Sequence, residues 1–200
     1  MKRILQINSS ILGDNSKSTL LANELVAKLA AAEAGSTVTV RDLAANPLPA
    51  HDGVAIGALF TPEENRSAEQ QAVVKAFDLA IEELFAADTI VFAVPMYNFN
   101  VPTQLKEYFD AVARAKVTFQ YTATGPEGLV KGKKVYVVHA RGGLHVGQPT
   151  DSITPYLNTF LGFLGMTDVE HVYAEGFAYG PEQAEAALKT ARAEIERIAA

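Results

Sequence analysis

Four serines lie close together in the turn that follows the first apolar stretch of the chain, and Lys17 lies among them. The segment comes directly before a helix predicted to begin near Ser18, where unpaired backbone N–H groups and the helix dipole favour an anion. One alternative is that Ser16 or Ser18 only caps this helix. Capping needs only one of these side chains, and Ser9 and Ser10 lie near the same helix N-terminus as well, so four serines are more than capping requires. Hydroxyl donors beside a helix N-terminus therefore predict a phosphate site formed by Ser10, Ser16, Lys17 and Ser18.

A second group of polar and aromatic side chains follows the most apolar stretch of the chain. Residues 90–94 read Ile-Val-Phe-Ala-Val, which is typical of a strand buried between two layers of helices. Pro95 ends this strand, and a helix is predicted to restart near Pro102, in its first turn. Backbone N–H groups, one amide and two flat rings predict a site for a planar heterocycle at the end of the strand. The alternative is a plain capped turn. The predicted ligand-binding residues are Met96, Tyr97, Asn98 and Phe99.

A third loop with unusual residues follows the predicted strand 135–140. Arg141 is succeeded by Gly142 and Gly143, and glycines allow backbone N–H groups to approach the edge of a ligand closely. A simple β-turn is the alternative. Together with Ala140, these residues form the third predicted part of the binding site.

Two common phosphate-binding motifs are absent from the first turn. A Walker A loop ending at Lys17 would require glycine at positions 11 and 16, where the chain has Ile11 and Ser16. The G-x-G-x-x-G fingerprint of dinucleotide sites is also missing, since Gly13 is isolated. A mononucleotide with one terminal phosphate fits better, and FMN is the mononucleotide whose flat ring would use the aromatic loop.

The composition excludes several classes of protein. There is no cysteine, which removes disulfides, Cys-ligated zinc, iron–sulfur clusters and thiol nucleophiles. The net charge of −6 argues against nucleic acid as a partner. No apolar stretch approaches the roughly 18 residues of a membrane helix, and the amino terminus lacks a secretory apolar region. We therefore expect a cytoplasmic protein that binds neither nucleic acid nor a membrane.

The histidines and serines do not form a recognisable catalytic motif. His51, His139, His145 and His171 are scattered without metal-ligand spacing, and His145 alone lies in a predicted site loop. A serine hydrolase is a possible second class, but the chain has no G-x-S-x-G motif. No metal site and no protein catalytic residue is predicted.

Alternating strands and helices position these loops. Five strands are predicted at 4–7, 38–40, 90–94, 135–140 and 169–174, and helices begin near 18, 67, 103, 154 and 181. This alternation predicts an α/β fold with a parallel sheet and right-handed crossovers. A long connection is predicted at 42–66. Residues 117–121 form an alternating stretch and residues 125–128 have the composition of a turn, so we expect 117–130 to form an excursion on the surface.

Several motifs resemble those of one known family. Residues 95–99, the Arg141-Gly142-Gly143 sequence and the serine-rich turn resemble the FMN-dependent NADH-azoreductases, flavodoxin-like flavoenzymes that are also called quinone reductases. Residues 41–47, 125–128 and 159–163 fit the same family, and the resemblance covers nearly the whole chain. No single motif is as specific as a metal cluster, but the whole set in the expected order is.

The resemblance implies the fold and the place of the site. We expect one flavodoxin-like domain over 1–200, a doubly wound sheet of five parallel strands in the order 2-1-3-4-5 with helices on both faces. This order places loops 8–18, 95–101 and 140–148 around one site. The residues expected to bind FMN are Ser10, Ser16, Lys17, Ser18, Met96, Tyr97, Asn98, Phe99, Ala140, Arg141, Gly142 and Gly143.

The resemblance also implies an activity and an assembly. NADH would supply electrons through one FMN per subunit to quinones and aromatic azo compounds, in a ping-pong cycle of two-electron transfers. A homodimer is expected, with each flavin at the subunit interface and with Tyr121 and Phe163 as pocket walls. The aromatic excursion and the apolar stretch 160–164 would support that interface. The alternative is a flavodoxin-type electron carrier, against which the long 42–66 and 117–130 segments argue.

Overall fold

A five-stranded parallel sheet forms the centre of the computed structural model, which describes residues 1–200. Its strands are β1 (Arg3–Asn8), β2 (Thr37–Asp42), β3 (Thr89–Pro95), β6 (Lys134–Arg141) and β7 (Asp168–Glu175). Strands β4 (Phe119–Thr122) and β5 (Gly125–Gly128) form a separate antiparallel hairpin. The sheet order is β2-β1-β3-β6-β7. The predicted order 2-1-3-4-5 is confirmed, because the two descriptions differ only in whether the hairpin strands are counted.

Helices cover both faces of the sheet. They are α1 (Lys17–Ala32), α2 (Gly53–Phe60), α3 (Ala68–Ala86), α4 (Thr103–Val112), α5 (Ile153–Leu164) and α6 (Pro181–Ala199). Leu21, Leu25 and Leu29 of α1 are buried as the i+4 pattern predicts. No helix combines the length and the apolar character that crossing a membrane requires.

Strand β3 is the centre of the core, as its sequence predicts. All of its residues are buried. Ile90, Phe92 and Val94 belong to the core on one face, with α3, α4 and α5. Val91 and Ala93 belong to the core on the other face, with α1 and α6. Because β3 is buried on both sides, its carboxyl end is fixed firmly between neighbouring strands.

The prediction that 42–66 is an irregular connection was wrong. Residues 53–60 form α2, and the Asp52 carboxylate caps it by accepting hydrogen bonds from the N–H groups of Val54 and Ala55, at 2.9 and 3.0 Å. The helix was not predicted from the sequence because Gly53 and Gly57 lie within it, and glycine is unfavourable in helix interiors.

The turn predicted at 125–128 was also wrong, because these residues are strand β5. The turn instead consists of residues 123 and 124, between β4 and β5. Across it, the Thr122 hydroxyl donates to the Gly125 carbonyl at 2.8 Å. Gly128 is required at the end of this strand. A Cβ atom there would lie 2.1 Å from the Gly165 nitrogen, so only glycine fits beside the end of α5. A smaller difference is that Pro102 occupies the N-cap of α4 rather than its first turn.

Candidate functional site

Three loops meet at the carboxyl ends of β1, β3 and β6. The strand pairs are in register up to Asn8 with Ala93 and Pro95 with Ala140. Beyond β1 and β3, the Ser10 hydroxyl and the Tyr97 hydroxyl form a 3.0 Å hydrogen bond. The Met96 N–H donates to the Ala140 carbonyl at 3.0 Å. The structure thus brings together the three loops that carry the predicted site residues.

A cavity of about 180 Å³ lies at this junction. Most of the predicted binding residues line it, and three further lining residues were missed from the sequence. Leu12 follows Ile11 in the serine-rich turn, and Phe177 lies in the segment Gly-Phe-Ala-Tyr-Gly after β7, so neither residue stands out in the sequence as a ligand contact. Asn98, Phe99 and Gly143 do not line this cavity. The residues around it are Ser10, Leu12, Ser16, Lys17, Ser18, Pro95, Met96, Tyr97, Ala140, Arg141, Gly142 and Phe177.

The serine-rich turn both caps α1 and leaves donors free. The Ser16 hydroxyl accepts a hydrogen bond from the Thr19 N–H at 3.1 Å, and it lies 3.1 Å from the Ser18 hydroxyl. Both side chains are buried. The N–H groups of Lys17 and Ser18 have no acceptor within the chain. Free N–H groups, two buried hydroxyls and the positive end of α1 can hold a phosphate, so capping and anion binding are compatible.

The loop after β3 is a tight, strained turn. Tyr97 and Asn100 exchange backbone hydrogen bonds of 2.9 and 3.0 Å, and Asn98 and Phe99 both have left-handed backbones, with φ of 50° and 64°. Asparagine tolerates this conformation, but for phenylalanine it costs about 1–2 kcal/mol. The Ser152 hydroxyl stabilises this backbone conformation by donating a hydrogen bond to the Phe99 carbonyl. Such strain is characteristic of positions where the backbone must present particular groups.

A larger groove of about 640 Å³ adjoins the cavity and shares Tyr97 with it. Seven of its eleven lining residues carry an amide or a hydroxyl group. They include Asn98, which was predicted to contact a ligand and lies on this side of Tyr97 rather than in the smaller cavity. The lining residues are Ile11, Tyr97, Asn98, Asn100, Val101, Pro102, Thr103, Gln104, Lys106, Ser152 and Tyr156.

The loop after β6 presents backbone groups rather than a free arginine side chain. The N–H groups of Gly142 and Gly143 have no acceptor within the chain. A Cβ atom on Gly143 would lie 2.7 Å from Nε2 of His145, so a larger residue there would displace that imidazole. The guanidinium of Arg141 is buried and pairs with Asp151 and Glu175, at 3.1 and 3.0 Å. Arg141 lines the cavity, but its charge is already neutralised by protein carboxylates.

A directional chain of hydrogen bonds runs from this arginine to the surface. Arg141 can only donate, so Nδ1 of His139 accepts its bond, at 3.2 Å. Nε2 of a neutral His139 then donates to Nδ1 of His171 at 2.9 Å, and Nε2 of His171 donates to the Asn158 side-chain oxygen at 2.9 Å. Both rings are therefore neutral. Burial, and then the charge of Arg141, lowers the pKa of His139 well below its usual value and lowers the pKa of His171 as well.

The neutral His139 predicts a pH dependence of stability. Because its folded pKa is lowered, the unfolded chain binds more protons below its own histidine pKa of about 6.5. This stability is complete above pH ~6.5 and is lost as the pH falls, with a slope of up to about 1.4 kcal/mol per pH unit. Denaturant unfolding of the parent and of His139→Gln between pH 7 and 5 should show a shallower slope for the variant. Equal slopes would contradict a neutral His139.

Tyr121 and Phe163 do not line the cavity or the adjoining groove, so the prediction that they are pocket walls fails within one subunit. The Phe119 ring lies 5.7 Å from that of Tyr121 and 4.5 Å from that of Phe163. This aromatic group lies at the far end of α5, about 15 Å along the helix from Ile153. Of the apolar residues of the 160–164 stretch, Leu161 and Leu164 are fully buried in the core, so the prediction that they support a subunit interface was wrong, whereas Phe160 and Phe163 are partly exposed.

A comparison with known families agrees with this architecture. A family model described as the flavodoxin-like fold matches residues 2–199. The chain belongs to the flavodoxin-like fold family. In such folds, ligands bind beyond the carboxyl ends of the strands, which is where the cavity lies.

Individual members of the flavodoxin-like fold family match along nearly their whole length. An FMN-dependent NADH:quinone oxidoreductase of Burkholderia thailandensis is 60% identical over 198 residues, covering 99% of this chain and 100% of that protein. A solved azoreductase from Bacillus anthracis strain Sterne has a TM-score of 0.89 and 28% identity, with 100% and 99% of the two chains covered. An FMN-dependent NADH-azoreductase of Bacillus anthracis, solved in complex with FMN, has a TM-score of 0.87 and 26% identity, with 99% and 100% covered.

Proposed function

We propose that this protein is an FMN-dependent NADH:quinone oxidoreductase that also reduces aromatic azo compounds. The observation that carries the proposal is the junction of three loops around one cavity, where Lys17, Ser18 and Gly142 offer backbone N–H groups without an acceptor in the chain. Free donors are what a ligand with a phosphate and a polar-edged ring requires. The names of the similar proteins point to the same cofactor and activity.

The residues of the cavity fit FMN. Ser10, Ser16, Lys17 and Ser18 would hold its phosphate, since the Lys17 ammonium has no ion-pair partner in the chain and the turn offers two free N–H groups. In the turn after β3, Met96 and Tyr97 would contact the ring within the cavity, and Asn98 would reach it from the adjoining groove. Gly142 lines the cavity and would face the polar edge of the ring, with Gly143 next to it. When bound, FMN supplies the redox chemistry.

The protein itself then has three tasks: to bind, to orient and to exclude water. The apolar side chains of Leu12, Met96 and Phe177 would exclude water from the cavity when the cofactor is bound. The groove beside Tyr97 is large enough for a planar aromatic acceptor. NADH and the acceptor would use this opening in turn, which is why a ping-pong cycle is proposed. An adjoining groove of this size also favours an enzyme over a simple electron carrier.

Steady-state kinetics test the activity. NADH oxidation should require FMN together with a quinone or an aromatic azo dye, and double-reciprocal plots at several quinone concentrations should be parallel. A protein that binds FMN but turns over neither acceptor would be an electron carrier. A protein whose NADH oxidation is unaffected by FMN would contradict the proposal altogether.

We also propose a cytoplasmic homodimer with one FMN per subunit. The support from the structure is the hairpin side chain Tyr121, which is 76% exposed, and Phe60 on α2, which is 85% exposed. Large exposed apolar groups mark interaction surfaces, and Tyr121 and Phe163 would reach the site of the partner rather than their own.

The dimer proposal predicts that dilution releases FMN and activity together, because part of each site would come from the partner. Sedimentation velocity across a concentration series should show the monomer appearing as FMN absorbance leaves the sedimenting boundary. Tyr121→Ser should shift both changes to higher protein concentration, whereas Tyr179→Ser, another exposed tyrosine, should not. A fully active monomer would contradict the proposal.

A further inference from the structure

We propose that Glu175 is a positioning residue for the ligand-binding loop, acting together with the buried guanidinium of Arg141. The pair holds the loop in the position where backbone hydrogen bonds from Gly176 and Ala178 direct the N–H groups of Gly142 and Gly143. This inference deepens the proposed function and rests on it, because those N–H groups are taken to face FMN.

The guanidinium of Arg141 provides the anchor. Arg141 is 1% exposed. Its nitrogens donate to Glu175, Thr154 and His139 at 3.0 to 3.2 Å, and it forms an ion pair with Asp151 at 3.1 Å. These partners belong to β7, the start of α5 and β6. A single side chain thus ties together three elements behind the loop, and a buried charge with these partners cannot move without losing several hydrogen bonds.

Glu175 transmits this anchor to the loop. One carboxylate oxygen accepts from Arg141 and from the N–H groups of His145 and Val146, at 3.0 and 3.2 Å, and the other oxygen also accepts from Val146 at 3.2 Å. Hydrogen bonds to a carboxylate are about twice as strong as neutral ones. The carboxyl end of the loop is therefore bound to the end of β7.

The peptide carbonyls of the loop are bound in the same direction. The Arg141 carbonyl accepts from the N–H of Gly176 at 3.1 Å, and the Gly142 carbonyl accepts from the N–H of Ala178 at 3.0 Å. In a trans peptide the carbonyl and the following N–H point in opposite directions. The N–H groups of Gly142 and Gly143 are thus turned away from the β7 side, which leaves them without an acceptor in the chain.

Substitution of Glu175 tests this role. Glu175→Gln keeps the shape of the side chain but removes the charge that binds the loop and Arg141, while Glu175→Asp keeps the charge on a shorter side chain. Glu170→Gln is the matched control, because Glu170 lies on the same strand and pairs with Lys134 and Arg197 at the surface. For each purified full-length variant, the FMN dissociation constant is measured by fluorescence quenching. The FMN reduction potential and amide hydrogen exchange at 142–146 are measured as well.

We expect Glu175→Gln to weaken FMN binding about tenfold, the change that accompanies the loss of a well-placed donor. It should also shift the reduction potential and speed exchange at 142–146, and Glu175→Asp should restore part of each property. Glu170→Gln should match the parent. If FMN binds the parent and the Glu175 variants match Glu170→Gln in affinity and potential, the positioning role is wrong while the proposed function stands. If the parent binds no FMN, both fail. Should Glu175→Gln not fold, unchanged affinity and potential in Glu175→Asp would equally overturn the role.

Discussion

Changing Ser16 to glycine and Ser18 to alanine together should weaken FMN binding at least tenfold and leave riboflavin binding nearly unchanged. The two hydroxyls are buried at the N-terminus of α1. Each hydrogen bond to a charged group contributes about 1.5–3 kcal/mol. Riboflavin has no phosphate, so its affinity should not change when these hydroxyls are removed. Fluorescence titration of the apoprotein with both ligands measures the difference.

The glycine at position 16 separates binding from folding. Ser16 is the N-cap of α1, and alanine there would destabilise the helix by about 1 kcal/mol, whereas glycine costs only a few tenths. Ser36→Ala, just beyond the end of α1, is a control that should change neither affinity. Equal losses for FMN and riboflavin would place the phosphate elsewhere.

Removing the amide of Asn98 should slow electron transfer from NADH about five- to thirtyfold, the effect of losing one hydrogen bond of ~1–2 kcal/mol at a sensitive step. Glycine is the substitution to use, because Asn98 has a φ of 50° and glycine adopts this conformation without strain. Stopped-flow mixing of the FMN-loaded variant with NADH gives the rate.

A companion change at Tyr97 should have a different effect. Tyr97→Ala removes a ring shared by the cavity and the groove, together with the hydrogen bond to Ser10, so we expect it to weaken FMN retention. Asn65→Gly, on the exposed surface, should match the parent in both measurements. If Asn98→Gly and Tyr97→Ala also match the parent, the loop is only a structural turn.

The sequence predicted the elements whose signals are local. The unbroken apolar run of β3, the i+4 leucines of α1 and Pro181 at the start of α6 each specify an element without help from distant residues. The meeting of the three loops at one site could then be predicted, because the carboxyl ends of parallel strands lie at the same edge of the sheet. The strand order was taken partly from the family resemblance, because periodicity does not determine which strands are neighbours.

What escaped prediction depends on contacts between distant residues. The hairpin strand β5 contains two glycines and a proline, so its composition favours a turn, and only pairing with β4 and the approach of α5 make it a strand. The ion pair of Arg141 with Glu175 joins residues 34 positions apart. Phe177 reaches the cavity only because β7 ends at the same edge of the sheet. None of these features has a local pattern.

Sequential mixing of the purified protein under anaerobic conditions tests the central claim most directly. The FMN-loaded protein should show the visible absorbance of oxidised flavin at one FMN per chain, lose it on mixing with NADH and regain it on mixing with a quinone. The Ser16→Gly/Ser18→Ala variant should show this cycle only at higher FMN concentrations. A protein that neither takes up FMN nor changes its visible spectrum with NADH would contradict the account.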